Sequence, residues 1–72
     1  MFQTLHEILV DRIRIAPDGI APEATPEDID LDSLAMVELS VALEEVGIAI
    51  TEGELKHVAT VGDIAELMQE RA

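Results

Sequence analysis

Apolar side chains recur at helical spacing near the start of the chain: Phe2, Leu5, Ile8, Leu9 and Ile13. Thr4 and Glu7 have the spacing of a capping box, which would begin a helix at that point. We expect this first helix to end before Pro17, because proline disfavours the helical conformation of its predecessor, and Asp18-Gly19 is typical of a turn.

A polar segment, residues 16–32, follows the first helix. Its three prolines and several acidic residues argue against regular structure, so the sequence predicts a long loop. We expect three apolar residues in it to point inward as anchors: Ile20, Ile29 and Leu31. A connection of this length in a small protein is usually functional or mobile.

The second helix is predicted to run from about Ser33 to Val46, with Asp32 or Ser33 as its N-cap and Gly47 as its C-cap. Placed at about 100° per residue, its side chains form two apolar arcs instead of one. The arc expected to face the core holds Ala35, Met36, Leu39, Ala42, Leu43 and Val46. The other, which we call the docking face, mixes apolar and acidic side chains: Leu34, Val37, Glu38, Val41, Glu44 and Glu45. A single core needs only the first arc, so we expect the docking face to be exposed and to bind partners, unless the first helix or the long loop covers it.

Two further capping-box pairs open the remaining helices. Thr51 and Glu54 predict a short third helix that reaches about Val58, and Thr60 and Asp63 predict a fourth. The apolar side of the fourth holds Val61, Ile64, Ala65, Leu67 and Met68. The sequence therefore predicts an all-α fold in which all 72 residues form one domain: a small four-helix bundle with a long loop between helices 1 and 2 and a short third helix.

Composition narrows the function. Sixteen acidic residues against four basic ones give a net charge of -12, which would repel nucleic acid and anionic lipid, so partners should carry basic patches. No apolar run approaches the roughly 20 residues that span a bilayer, and the first residues do not resemble a secretion signal. The chain has no cysteine, which excludes disulfides and thiolate metal ligands. We expect a cytoplasmic monomer that binds neither nucleic acid nor membranes.

Asp28, Asp30 and Asp32 have the spacing that begins a calcium-binding EF-hand loop. However, the sixth position of that loop is Ser33, where the turn needs glycine, and the twelfth is Leu39, where a glutamate should complete the ligands. The pattern disfavours a specific calcium site and favours diffuse association of cations with an acidic loop.

A nucleophilic enzyme would need Ser33 activated by His6 or His57. The serine does not lie in a G-x-S-x-G turn, and no glycine-rich turn offers an oxyanion hole. We therefore assign no catalytic residue.

Ser33 is also suited to covalent modification. A phosphodiester on its hydroxyl would meet the unpaired N–H groups and the positive end of the dipole of the second helix. Serine is equally suited to be an N-cap without any modification, and local chemistry alone favours that simpler role.

The segment "DLDSLAMVELSVALEE" resembles the attachment segment of acyl carrier proteins. The family motif Asp-Ser-Leu corresponds to Asp32, Ser33 and Leu34, and "ITEGEL" and "VATVGDIAEL" follow in the family's order. The resemblance covers nearly the whole chain. It implies a carrier and not an enzyme.

The resemblance also implies a cofactor and partners. Ser33 would carry 4'-phosphopantetheine, added from coenzyme A by a phosphopantetheinyl transferase, and the thiol of that group would hold an acyl chain as a thioester. Asp32 would help to present the serine to the transferase. The docking face would meet basic surfaces of acyltransferase, ketosynthase or ligase-type enzymes.

Three departures from the family pattern bear on the pathway. Asp30 stands where many members have glycine, Ala35 stands where fatty-acid carriers usually have a second acid, and "EEVGIAI" is about one residue short. These departures favour a discrete carrier for polyketide or other specialised biosynthesis over the main fatty-acid pathway. A carrier of an amino acid or short acid in a non-ribosomal or cell-envelope pathway is the alternative.

Overall fold

Four α-helices and no strand make up the computed structural model, which describes residues 1–72. The helices are α1 (Phe2–Asp11), α2 (Ser33–Glu45), α3 (Glu52–Lys56) and α4 (Val61–Arg71). The predicted all-α fold is confirmed, including the long connection between α1 and α2 and the short α3. None of these helices has the length and apolar character that crossing a membrane would require.

Seventeen buried apolar side chains form one core, and no polar or charged side chain is buried. The three longer helices contribute residues spaced three and four apart: Leu5, Ile8 and Leu9 of α1; Leu39, Ala42 and Leu43 of α2; Val61, Ile64, Ala65 and Met68 of α4. This spacing places each set on one side of its helix. Burial of these aliphatic side chains is what holds the helices together.

The start of α1 differs from the prediction. The helix begins at Phe2 after Met1, with no side-chain cap, and the predicted capping box of Thr4 and Glu7 does not form. Phe2 packs against the core, so the helix extends upstream of Thr4 to bring that ring into contact. Tertiary packing outweighs a local capping signal here. The helix ends before Pro17, as predicted.

The connection between α1 and α2 contains two 3₁₀ turns, Pro17–Gly19 and Glu27–Ile29, where we expected no regular structure. In the first of them the proline is at the first position, where its fixed φ is suitable and its missing N–H costs nothing. The expected anchors are confirmed, since Ile20, Ile29 and Leu31 are all buried.

The first turn of α4 holds the middle of this connection. The N–H of Val61 donates to the carbonyl of Ala24 at 2.8 Å, and the N–H of Gly62 donates to that of Pro22, also at 2.8 Å. These helix-end donors have no partner within their own helix. The loop therefore serves as part of the cap of α4, and α4 fixes the position of the loop.

Both capping boxes predicted for α3 and α4 are confirmed. The side chains of Thr51 and Thr60 accept hydrogen bonds from the N–H groups of Glu54 and Asp63, whose carboxylates accept from the threonine N–H groups in return. The third helix ends at Lys56, two residues before the predicted end.

Arg71, at the end of α4, connects that helix to α3. Its guanidinium donates to the carbonyl of Ala49 at 2.9 Å and to both carboxylate oxygens of Glu54. The hydrogen bond from Arg71, with a second from the backbone of Thr51, lowers the pKa of Glu54 from its usual value of 4.5 to about 2. The same contact raises the pKa of Arg71. Glu54 therefore both closes the capping box of α3 and attaches α3 to α4.

Candidate functional site

Asp32 is the N-cap of α2. Its backbone is extended (φ -80°, ψ -176°), and its Oδ1 accepts a hydrogen bond from the N–H of Ala35 at 2.8 Å. Of the two residues predicted as possible caps, the structure selects Asp32. Ser33 is consequently the first helical residue; its side chain is exposed and makes no hydrogen bond within the protein. The fold therefore makes no use of the Ser33 hydroxyl.

The N–H groups beside this hydroxyl are also free. Those of Ser33 and Leu34 donate to no other group of the protein, whereas those of Ala35 and Met36 both donate to Asp32. Two unpaired N–H groups at the positive end of a helix suit a phosphodiester oxygen. The start of α2 thus fits a phosphate-linked group on Ser33.

The acidic residues before Ser33 surround an open depression of about 280 Å³, lined by Glu27, Asp30, Leu31 and Asp32. Asp30 adopts the left-handed conformation, with φ 56° and ψ 34°. Glycine adopts this conformation without strain and aspartate with little. The residue at this position must therefore tolerate the left-handed conformation.

Two of the aspartates whose spacing resembled a calcium-binding loop form hydrogen bonds with the backbone instead. Asp28 accepts a hydrogen bond from the N–H of Thr25 at 3.1 Å and donates its own N–H to the hydroxyl of Thr25 at 3.2 Å. Asp32 is occupied by the helix cap. No group of three or more histidine and acidic side chains has an arrangement that could hold a metal ion.

The two histidines that we weighed as activators of Ser33 lie on α1 and at the end of α3. His6 is half-buried on α1, with its ring centroid 6.4 Å from that of Phe2, and His57 is the exposed C-cap of α3. Neither is hydrogen-bonded to Ser33.

The docking face is exposed along α2. The exposed fractions of its apolar side chains are 68% for Leu34, 41% for Val37 and 51% for Val41, and its three glutamates are exposed as well. The alternative, in which α1 or the loop covers this strip, is therefore wrong. A row of exposed aliphatic side chains bordered by carboxylates suits a basic partner with an apolar centre.

Val46 was predicted to face the core, but it is exposed. It is the C-cap of α2, with φ -99° and ψ 13°, and Gly47 follows with φ 86°. The helix has ended at this point, so the helical projection no longer describes where the side chain points. Ile48 enters the core in its place, and its N–H donates to the carbonyl of Leu43 at 2.9 Å.

One glutamate of the docking face has a partner within the chain. Nη2 of Arg12 lies 2.9 Å and 3.0 Å from the two carboxylate oxygens of Glu45. Glu38 and Glu44 form no ion pair. Sequence reasoning missed Arg12, because 33 residues separate it from Glu45 and only opposite charge connects them.

Comparison with known proteins agrees with this geometry. The family profile described as "Phosphopantetheine attachment site" matches residues 3–68. The chain is similar to the acyl carrier protein of Petrotoga mobilis, with 34% identity over 73 residues, covering 99% of this chain and 86% of that protein. It is 38% identical over 69 residues to that of Saccharopolyspora erythraea, covering 93% and 73% of the two chains, and 39% identical over 72 residues to that of Clostridium perfringens, covering 97% and 95%. The chain therefore belongs to the acyl carrier protein family, whose members are carriers with covalently attached 4'-phosphopantetheine and not enzymes.

Proposed function

We propose that Ser33 is the residue that carries 4'-phosphopantetheine. One observation supports this above all others: Asp32 caps α2, so the adjacent Ser33 hydroxyl is exposed and free of internal hydrogen bonds. The attached group supplies a thiol that holds an acyl chain as a thioester, which a chain without cysteine cannot provide itself. The protein thereby carries acyl intermediates between enzymes.

The residues around Ser33 have distinct roles in this proposal. Oγ of Ser33 loses its proton and attacks the phosphorus atom that bears the pantetheine arm of coenzyme A. The new phosphodiester bond forms as the P–O bond of the diphosphate breaks, and adenosine 3′,5′-bisphosphate leaves. The N–H groups of Ser33 and Leu34, at the start of α2, stabilise the negative charge of the phosphodiester. Asp32 keeps the first turn of the helix closed, so that the serine is presented at a fixed position.

The attachment is tested by intact mass after incubation with coenzyme A, Mg²⁺ and a broad-specificity phosphopantetheinyl transferase. We expect one added phosphopantetheinyl group on the wild type and none on Ser33→Ala. Ser40→Ala is the matched control, because Ser40 is the only other serine and its Oγ donates to the carbonyl of Ile50 at 2.7 Å. This control should gain one group. No addition to the wild type, or addition that survives Ser33→Ala, would refute the assignment.

We further propose that the docking face binds the transferase and the acyltransferase, ketosynthase or ligase-type enzymes that use the carrier. Exposed carboxylates attract a basic surface over distances up to the Debye length, about 8 Å at physiological ionic strength, so they act mainly on association. Desolvation of apolar side chains such as Val41 should instead slow dissociation.

Charge reversal tests this binding. Glu38→Lys or Glu44→Lys should slow transfer of phosphopantetheine at low salt, and added salt should narrow the difference from wild type. Val41→Ala should slow the same reaction with little dependence on salt. Glu66→Lys is the matched control, because Glu66 is an exposed glutamate on α4, outside the docking face. Equal rates for wild type, Glu38→Lys and Glu44→Lys at low salt would show that the acidic face is only a hydrated surface.

The pathway that we favour is polyketide or related specialised biosynthesis, with fatty-acid synthesis as the near alternative, on the basis of Asp30, Ala35 and the shortened segment after α2. A carrier of an amino acid or short acid fits the same attachment chemistry. We place the protein in the cytoplasm as a monomer that binds neither nucleic acid nor membranes, in keeping with its net charge of -12.

A further inference from the structure

A shallow groove of about 290 Å³ lies between α2 and the two residues that follow α1, and part of the docking face lines it. Its walls are mainly aliphatic, and they are completed by one cation and one carboxylate: Arg12, Ile13, Val37, Glu38, Val41 and Ala42. Ile13 is half-buried, and Val37 and Val41 are exposed. The groove therefore extends the exposed surface beyond the docking face to Arg12 and Ile13, which follow α1 and which the helical projection of α2 alone did not reveal.

Along α2, one carboxylate lines the groove at Glu38, and a second, Glu45, lies just beyond its other end. Glu38 and Glu45 are seven residues apart on one side of the helix, a separation of about 10 Å along its axis. Val41 and Ala42 lie between them. Glu38 has no ion-pair partner, whereas Glu45 is paired with Arg12. The groove thus has a carboxylate without an ion-pair partner at one end and, at the other, Arg12, which is paired with Glu45 just outside the groove.

The ion pair of Arg12 and Glu45 is exposed to solvent, with 48% and 53% of the two side chains accessible. Exposed pairs of this kind contribute little, because water screens them and two long side chains must be ordered. A cation from another protein can therefore displace Arg12 at small cost. While Arg12 is in place, it reduces the attraction that Glu45 exerts on a basic partner.

We propose that Arg12 is an internal competitor for the cation of a partner enzyme and so sets which basic partners bind well. The occupant of the groove is a partner segment with an aliphatic side chain between two basic residues. The aliphatic side chain packs on Ile13 and Val41, one cation binds Glu38, and the other replaces Arg12 at Glu45. Partners whose second cation does not reach Glu45 bind the groove less tightly. This inference rests on the proposed function of the docking face.

The test measures kcat/KM for phosphopantetheine transfer by a broad-specificity transferase at low ionic strength, which uses the transferase itself as the basic partner. Arg12→Gln releases Glu45 and should raise kcat/KM by about two- to fivefold, the range set by the strength of exposed ion pairs. Arg14→Gln is the matched control, because Arg14 is an exposed arginine two positions away that forms no ion pair. It removes the same charge and should change kcat/KM less.

A double-mutant cycle tests whether Arg12 acts through Glu45. In a Glu45→Gln background, Arg12→Gln should have no more effect than Arg14→Gln. For the apolar part of the groove, Ile13→Ala should lower kcat/KM at all salt concentrations, whereas Ile15→Ala, which changes a half-buried side chain outside the groove, should not. Melting curves of all variants identify any rate change that reflects unfolding.

Several outcomes would overturn the inference. Equal effects of Arg12→Gln and Arg14→Gln would show that only net charge matters, and a fall in kcat/KM for Arg12→Gln would show that Arg12 assists docking. Equal rates for the folded Ile13→Ala and Ile15→Ala variants would show that the groove is unused. In each case the wild type still gains its group on Ser33. Failure of the wild type to be modified at all would instead refute the proposed function.

Discussion

Gly62 lies where α4 meets the long loop, and the structure predicts that alanine will not fit there. A Cβ atom at this position would lie 2.9 Å from the carbonyl oxygen of Pro22 and 3.5 Å from both its carbonyl carbon and its Cβ. The same oxygen accepts the N–H of Gly62 at 2.8 Å. The loop therefore cannot move away from the new methyl group without lengthening this hydrogen bond.

The expected effect is a loss of stability in spite of the better helix propensity of alanine. Alanine in place of glycine ordinarily stabilises a helix by about 0.5 to 1 kcal/mol. Against this, a steric clash in a packed region costs about 1 to 3 kcal/mol, and weakening the hydrogen bond to Pro22 costs up to about 1 kcal/mol more. We expect Gly62→Ala to lower the free energy of unfolding by about 1 to 2 kcal/mol, which corresponds to a fall in Tm of about 4 to 8 °C per kcal/mol for a chain of this size.

Thermal and urea unfolding followed by circular dichroism measure this change. Gly53→Ala is the matched control, because Gly53 is exposed in α3 and the nearest atom to its added Cβ would be Oγ1 of Thr51 at 3.9 Å. It should be stabilised by about 0.5 to 1 kcal/mol. If Gly62→Ala were as stable as the wild type, the contact between loop and helix would not hold the loop in place.

Three further predictions concern the cap, the ion pair and the loop. Asp32→Ala should lose about 0.5 to 2 kcal/mol of unfolding free energy in urea titrations, whereas Ser33→Ala should change it by no more than about 0.5 kcal/mol; equal losses would show that the serine shares the cap. Because the pKa of Glu54 is lower in the folded state, its ionised form stabilises the fold above pH 4.5, and this contribution disappears as the pH falls toward about 2. The difference in Tm between wild type and Glu54→Gln should therefore be constant near neutral pH and shrink below pH 4.5; a difference that persists at pH 2 would contradict the ion-pair explanation. At Asp30, glycine should be tolerated with little change in Tm, whereas Asp30→Val should cost about 1 to 2 kcal/mol; equal stability of the two variants would contradict the left-handed conformation at this position.

Periodicity and local hydrogen bonding made most of the fold predictable. The capping boxes at Thr51 and Thr60 are complete within four residues of chain, so their spacing alone locates the starts of α3 and α4. The two arcs of α2 follow from helical geometry, and the exposure of Leu34, Val37 and Val41 agrees with it. The pattern of residues therefore predicts the features that depend on a single helix, such as where it starts and which side is exposed.

Contacts between distant residues were not predictable in this way. The capping signal at Thr4 was overruled by packing of Phe2 on the core, which depends on residues far along the chain. The pairs Arg12–Glu45 and Arg71–Glu54 bridge 33 and 17 positions, and several other acids were equally eligible by charge. The choice of Asp32 over Ser33 as cap depends on how the loop enters α2, which no short motif specifies.

Most hydroxyl groups of the chain already form hydrogen bonds within the protein, and this limits where the chain can be modified. The chain has two serines and four threonines. The hydroxyls of Thr25, Thr51 and Thr60 accept hydrogen bonds from backbone N–H groups, and that of Ser40 donates to a backbone carbonyl. Only Thr4, in the first turn of α1, and Ser33, in the first turn of α2, keep a hydroxyl that makes no hydrogen bond within the protein. An enzyme that modifies free hydroxyl groups therefore has two candidates in this chain, and of the two only Ser33 directly follows a side-chain cap, since α1 has none. Under the attachment proposed above, this difference restricts modification to one group per chain.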